Sequence, residues 1–151
     1  MSVFVDTGVF YADHDEAATR HETADTAMDS VYQSELGQPY TSDYVYDETT
    51  TLTLQRTGST DAAKTVGRRI RGAGEFHAAF SMERVTAPLF QRAVDLFERY
   101  DDQHLSFTDA TTVALVQRHD IDAVLSFDDD FDGIVDRIDP ADLAGDGEHN
   151  P

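Results

Sequence analysis

The chain contains no cysteine among its 151 residues. Disulfides, thiolate metal sites and a cysteine nucleophile are therefore excluded, and any metal ion must be bound by oxygen or imidazole nitrogen. Its apolar residues occur in short runs, far below the roughly 18 to 20 consecutive apolar residues that a membrane-spanning helix requires. A strand-like run begins almost at Met1, with no charged and apolar leader before it, which is unlike a signal peptide. We expect a cytoplasmic protein that has no membrane association.

Lysine is nearly absent as well, since Lys64 is the single lysine beside 10 arginines. The chain carries 30 acidic residues, 22 of them aspartate, and a formal net charge of −19. Such self-repulsion destabilises the folded state unless salt screens it, and at 1 M salt the Debye length is only about 3 Å. The composition resembles that of haloarchaeal proteins, although a GC-rich genome also favours arginine over lysine. In a salt-rich cytosol the negative charge is a weaker argument against a nucleic-acid partner.

The length is typical of one domain with a single core. We expect a domain over residues 1–139 and a polar, disordered tail over residues 140–151. Apolar runs predict strands at 3–5, 39–42, 76–82, 122–127 and 134–138. Helical spacing and caps predict helices at 9–12, 15–36, 43–57, 60–71 and 87–99, and one more that begins near residue 107. This alternation predicts an α/β domain with a mainly parallel sheet.

Four acidic residues lie where a predicted strand ends or a helix begins. Asp6 and Asp128 each follow an apolar strand, Glu48 lies on a helix, and Asp109 lies in the first turn of another helix. Taken singly, each is explained as a turn or helix-cap residue. Taken together they favour a site, because ligands bind at the carboxyl ends of parallel strands. Clustered carboxylates require a cation, and oxygen ligands suit Mg²⁺ or Mn²⁺.

The segments around these acids resemble the PIN domain, the fold of VapC-type toxins and related nucleases. The resemblance rests on VFVDTGVF at residues 3–10, DETTTL at 47–52, LSFTDA at 105–110 and AVLSFDDDF at 123–131. It implies a three-layer α/β domain with a mainly parallel central sheet flanked by helices. It also implies that the metal-binding and catalytic acids are Asp6, Glu48, Asp109 and Asp128.

Three further positions follow from the same resemblance. Several aspartates crowd the loop after the last buried strand, so Asp130 is the substitute for Asp128 as the fourth acid. Thr7 and Ser126 are candidates for contacts with the metal ligands or with substrate. Turn and cap roles explain these two hydroxyls at least as well.

The only dense basic patch of the sequence lies on one predicted helix and consists of Lys64, Arg68, Arg69 and Arg71. It can contact RNA or a partner protein, or it can be a solvated face that neutralises nearby aspartates. The six histidines show no metal-ligand spacing and we assign them no role, although His14 and His104 fall in predicted loops that can lie near the site.

The resemblance predicts a Mg²⁺- or Mn²⁺-dependent endoribonuclease that uses a metal-activated water. Asp6, Glu48 and Asp109 would hold the first ion, and Asp128 would orient the water or complete a second metal site. The products would carry 5′-phosphate and 3′-hydroxyl ends. A toxin of this family pairs with an antitoxin protein and commonly forms a homodimer.

Other classes agree less well with the sequence. A haloacid-dehalogenase-like phosphatase needs a second aspartate at the position of Gly8, and a receiver domain needs a strand-end lysine, whereas Lys64 lies on the basic helix. The remaining alternative is a PIN-like module that binds RNA or protein without cleaving.

Overall fold

Short strands and amphipathic helices alternate along the chain in the computed structural model, which describes residues 1–143. The strands are β1 (Ser2–Val5), β2 (Gln38–Ser42), β3 (Ser81–Glu83), β4 (Ala123–Leu125) and β5 (Arg137–Ile138). The α-helices are α1 (Thr7–His14), α2 (His21–Tyr32), α3 (Asp43–Thr57), α4 (Thr60–Arg71), α5 (Ala87–Arg99) and α6 (Phe107–Arg118). Short 3-10 turns occupy residues 101–103 and 129–131.

The five strands form one parallel sheet in the order β3-β2-β1-β4-β5. The central strand β1 is buried on both faces, and Val3, Phe4 and Val5 have no exposed surface. The chain first moves from β1 to β3 and then crosses back over the sheet to β4. Because parallel crossovers are right-handed, connections that run in opposite directions cover opposite faces. The result is the three-layer α/β architecture that the sequence predicted.

Capping residues define several helix boundaries as predicted. Ser42 accepts a hydrogen bond from the Val45 N–H (3.1 Å) at the start of α3, and Ser59 accepts one from the Ala62 N–H (3.0 Å) at the start of α4. Both caps satisfy backbone donors that would otherwise lack partners. Gly72 ends α4 in the left-handed conformation, with φ +65°. Helix α5 has the bounds predicted from its apolar periodicity.

Four elements are shorter than predicted, and one of them is the strand expected over 122–127, which is only β4. The helix expected over 15–36 is only α2, because the Asp15 carboxylate accepts the Ala17 N–H at 3.0 Å and forms a turn that competes with the helix. The strand expected over 76–82 is reduced to β3. The strand expected over 134–138 is reduced to β5, because the N–H groups of residues 134 and 135 donate to the Phe131 carbonyl.

The chain continues beyond the sheet into a helical turn at residues 140–143. Leu143 packs against the core, so the first part of the predicted tail is folded. Residues 144–151 of that tail lie outside the described residues. Within residues 1–143, no helix has both the length and the apolarity needed to cross a membrane.

Candidate active site

The carboxyl ends of β1 and β4 meet α3 and the start of α6 at one cleft of about 660 Å³. Four acids from distant parts of the sequence line this cleft. These are the predicted residues Asp6, Glu48, Asp109 and Asp128. Thr7 and Ser126 lie in the same wall. The structure therefore brings together the side chains that the element ends indicated.

Local hydrogen bonds fix the position of Asp109. Ser106 caps α6 by accepting the Asp109 N–H at 3.0 Å, and the Ser106 N–H donates to Asp109 Oδ2 at 3.1 Å. This reciprocal capping box uses one carboxylate oxygen of Asp109. It holds the buried carboxylate against the cleft.

Ser126 connects the two acids that follow β1 and β4. Its fully buried hydroxyl donates to Asp6 Oδ2 at 2.8 Å and accepts the Asp128 N–H at 2.9 Å. The Asp6 N–H in turn donates to the Leu125 carbonyl at 3.1 Å. Ser126 thus sets the relative placement of Asp6 and Asp128. Thr7 is also buried, and its hydroxyl has no hydrogen-bond partner within the part of the chain that the structure describes.

Burial and mutual repulsion disfavour the charged forms of two of the acids. The pKa of Asp6 is raised to about 6, mainly by burial and to a smaller extent by the charges of Glu48 and Asp128, against the opposing hydrogen bond from Ser126. Burial, followed by the charge of Asp6, raises the pKa of Asp109 to about 7. Both shifts are the expected behaviour of carboxylates that share a partly dry site. A cation bound among these carboxylates would favour their charged forms and lower both pKa values.

The donor set fits a divalent cation. Asp6 Oδ1 is buried without a hydrogen-bond partner among residues 1–143, and such an oxygen is costly unless an ion or water satisfies it. Carboxylate oxygens are the ligands that Mg²⁺ and Mn²⁺ prefer. The tightest carboxylate triple in the described chain is nevertheless Asp128, Asp129 and Asp130, whose oxygens lie within 4.8 Å of one another. Asp6 and Asp109 do not belong to so tight a group.

The structure distinguishes the two candidates for the fourth acid by position. Asp128 and Asp129 line the cleft, whereas Asp130 does not. The Asp130 N–H donates to Asp128 Oδ1 at 2.9 Å, which tightens the loop and leaves the Asp130 side chain outside the cleft wall. Of the predicted pair, Asp128 is the residue in the cleft.

The basic patch on α4 lies away from the cleft. Arg69 forms an ion pair with Asp13 at 3.7 Å and its guanidinium lies 4.9 Å from the ring centre of Phe76. Arg71 lies over the Tyr46 ring at 6.0 Å. Neither these two nor Lys64 and Arg68 line the cleft.

Two basic residues line the cleft, of which sequence reasoning missed Arg20 and placed His104 in a loop that can lie near the site without assigning it a role. Arg20 was placed inside a predicted helix, but it precedes α2 in a loop and reaches the cleft. The turn at Asp15 was the signal that could have revealed this loop. His104 also lines the cleft, from a left-handed position with φ +58° that follows the 3-10 turn at residues 101–103.

A family model of the PIN domain matches residues 3–136. The chain belongs to the PIN-domain family. This PIN domain is similar to the 23S rRNA-specific endonuclease VapC20 of Mycobacterium tuberculosis (strain CDC 1551 / Oshkosh). The two are 31% identical over 129 residues, which cover 85% of this chain and 91% of VapC20.

Solved structures agree with the family. The crystal structure of Mycobacterium tuberculosis VapC20, described as a sarcin-ricin loop cleaving toxin, matches with a TM-score of 0.72 and 32% identity over 85% of this PIN domain and 92% of that chain. A toxin-antitoxin complex from Klebsiella pneumoniae matches with a TM-score of 0.62 and 17% identity over 91% and 97% of the two chains. FitAcB from Neisseria gonorrhoeae matches with a TM-score of 0.62 and 15% identity over 92% and 98%. The last two likenesses show the shared fold alone.

Proposed function

We propose that this protein is a Mg²⁺- or Mn²⁺-dependent endoribonuclease and the toxin of a toxin–antitoxin pair. One observation carries the proposal: four carboxylates from distant parts of the sequence line a single cleft of a PIN domain. The relative VapC20 is a nuclease and a toxin. An acidic cleft that repels phosphate requires a cation before it can accept RNA.

The carboxylates would hold the ion, with Asp6, Glu48 and Asp109 as first ligands and Asp128 orienting the attacking water or completing a second metal position. When bound, a divalent ion lowers the pKa of a coordinated water and offsets the charge of the scissile phosphate. The capping box holds Asp109 in place, and the Ser126 hydroxyl fixes the positions of Asp6 and Asp128 relative to each other. Thr7 supplies a buried hydroxyl beside Asp6. The products would carry 5′-phosphate and 3′-hydroxyl ends.

Ribosomal RNA of the large subunit is the substrate that we propose to test first. VapC20 is named for cleavage of 23S rRNA and is 31% identical over most of both chains. Mapping the 5′ ends produced from intact ribosomes would identify the cleaved bond.

The decisive experiment compares wild type with Glu48→Gln and Asp47→Asn in RNA cleavage with and without Mn²⁺. Glu48 lines the cleft, whereas its neighbour Asp47 is exposed on the same helix and does not. We expect a loss of at least about 100-fold for Glu48→Gln, because it removes a ligand of the activating ion, and activity near wild type for Asp47→Asn. Equal activity of all three proteins would disprove the site.

The second candidate function is a PIN-like module that binds RNA or protein without cleaving. The exposed rings of Phe90 and Phe97 on α5 favour a contact with another protein, and such a contact can form whether or not the acids are catalytic. Binding of RNA by wild type, with no cleavage of any RNA in the presence of Mn²⁺ and no growth defect on induction, would support this function over the nuclease.

We propose that the toxin is a homodimer and binds a cognate antitoxin. Phe90 and Phe97 on α5 are 44% and 43% exposed and pack around Phe107, with ring centres 5.2 and 5.9 Å away. Exposed phenylalanines on so acidic a surface support a protein contact there, and we assign it to the second copy. Light scattering should give a dimer for wild type and a monomer for Phe90→Ser/Phe97→Ser. A wild-type monomer would contradict the assignment.

The composition supports a further proposal, that the protein works in a salt-rich cytoplasm. A net charge of −19 and a single lysine are suited to high ionic strength. Cleavage assays should therefore be made in molar KCl as well as in dilute buffer.

A further inference from the structure

A second groove of about 480 Å³ continues from the acidic cleft. The two depressions share wall residues, namely Gly8, Arg20, Leu52 and Phe127. The groove then runs between α1 and the end of α3, where Tyr11 and Arg56 line it. An RNA strand that enters the cleft can therefore continue into this groove along the protein surface.

Two arginines face this groove without acidic partners. The Arg20 guanidinium lies 4.7 Å from the ring centre of Phe127, and that of Arg56 lies 4.8 Å from the ring centre of Tyr11. No carboxylate within residues 1–143 forms an ion pair with either of them. Among the 10 arginines only Arg69 and Arg137 form ion pairs within residues 1–143. What distinguishes Arg20 and Arg56 is therefore their position in a groove that joins the acidic cleft.

Cation–π contacts hold both guanidinium groups at the wall of the groove. A guanidinium attracted to an aromatic ring retains its charge and its five N–H donors for an anion. That fork matches two oxygens of a phosphate. Asp15 also lines the groove, but its carboxylate already accepts hydrogen bonds from the Tyr11 hydroxyl and the Ala17 N–H.

We propose that this second groove binds the phosphodiester backbone of the RNA strand beside the scissile bond. Arg20, at the junction, would contact the phosphate nearest the cleft, and Arg56 would contact a phosphate further along the strand. The proposal rests on the proposed ribonuclease function and assigns RNA binding to these two arginines in place of the α4 patch.

The test measures binding of a labelled single-stranded hexaribonucleotide by fluorescence anisotropy, with Glu48→Gln present in every protein so that no RNA is cleaved. The variants are Arg20→Gln and Arg56→Gln. The matched control is Arg71→Gln, which removes the same charge from an arginine that also lies over a tyrosine ring but lines neither depression. We expect roughly five- to ten-fold weaker binding for each groove variant and less than two-fold for the control. The slope of log affinity against log salt should decrease by about 0.7 for each groove arginine.

A triribonucleotide competitor separates the two positions. It carries the scissile phosphate and only one adjoining phosphate, so Arg20→Gln should weaken its competition while Arg56→Gln should not. Equal losses of hexamer affinity for Arg56→Gln and Arg71→Gln would show a general charge effect and overturn the assignment of RNA binding to the groove. Unchanged hexamer binding in both groove variants would overturn it as well, provided that thermal melting shows them folded. Failure of the proposed function appears separately, as wild-type protein that binds RNA but cleaves none.

Discussion

Single hydrogen bonds decide which carboxylates the cleft presents. The Asp128 carboxylate accepts the Asp130 N–H, and the Asp128 N–H donates to Ser126, so the loop closes with Asp128 inside and Asp130 outside. The sequence predicted an acid at this point but left two aspartates open. Four of the five residues from 128 to 132 are aspartate, and only the loop conformation distinguishes them.

Asp128→Asn and Asp130→Asn test this distinction directly. Asparagine can still accept the residue-130 N–H through its amide oxygen, so Asp128→Asn removes charge without opening the loop. We expect a loss of at least about 10-fold in RNA cleavage for Asp128→Asn, as for other metal-site residues, and a change below two-fold for Asp130→Asn. The opposite ranking would assign the fourth acid to Asp130.

Asp6→Asn should change the pH dependence of stability in metal-free protein. The folded-state pKa of Asp6 is raised to about 6 and that of Asp109 to about 7. The folded state therefore binds protons more readily than the unfolded chain, and the free energy of unfolding falls as pH rises from about 4 to 8. Asp6→Asn removes the free-energy cost of ionising the buried Asp6 carboxyl. The variant should therefore be more stable than wild type by about 2 kcal/mol at pH 8, with little difference near pH 4.

Urea unfolding followed by circular dichroism across this pH range, with a chelator present, provides the measurement. Asp47→Asn serves as the control for loss of an exposed carboxylate. A wild-type stability that does not fall between pH 4 and 8 would contradict the effect of burial. Adding Mn²⁺ at pH 8 should stabilise wild type more than Asp6→Asn.

Secondary-structure elements were predictable where a local signal acts alone. Serine caps and periodic apolar residues gave the starts of α3 and α4 and both ends of α5, because those signals are contained in a few adjacent residues. The start of α2 was missed because the Asp15 turn and the helical periodicity compete in the same segment. The missed loop is the one that carries Arg20 to the cleft, so an error in one element hid a binding residue.

Two helix-ending glycines provide a matched prediction for the α3–α4 hairpin. Gly58 and Gly72 both have left-handed backbones, with φ +66° and +65°, but only Gly72 is crowded. A Cβ at Gly72 would lie 2.3 Å from the Ala78 Cα, whereas one at Gly58 meets nothing within 4 Å. Gly58→Ala should cost about 1 kcal/mol from backbone strain, and Gly72→Ala at least about 3 kcal/mol.

Thermal melting of both variants measures the difference. For a chain of this size, each 1 kcal/mol lowers Tm by about 2–4 °C. Equal Tm losses would mean that the segment at Ala78 moves away without cost.

The whole molecule was predictable in architecture but not in its surface. The order of apolar runs indicated the parallel sheet, and the resemblance to the PIN domain indicated the four acids of the cleft. The basic residues that approach the cleft, Arg20 and His104, lie in loops, whereas the sequence drew attention to the dense patch on α4. The unpaired arginines Arg20 and Arg56, 36 positions apart, are brought to one groove only by the tertiary fold.

The charge of the molecule predicts a strong salt dependence of stability. Raising KCl from 0.1 to 1 M shortens the Debye length from about 10 to about 3 Å. Repulsion within a chain of net charge −19 should then weaken. We expect a gain of about 2 kcal/mol, seen as a rise in Tm of roughly 4–8 °C. NaCl should act equally, and a Tm that is constant or lower in either salt would contradict electrostatic screening.

The bond between Ser126 and Asp6 joins residues 120 positions apart, and this separation orders events during synthesis. Asp6 is therefore synthesised well before Asp109, Ser126 and Asp128. The central strand β1 has only one of its two neighbours until β4 is made. A nascent chain cannot complete the cleft until β4 and Asp128 have been synthesised. The order of the acids along the gene thus delays the assembly of the complete site until the last strand-end acid is available.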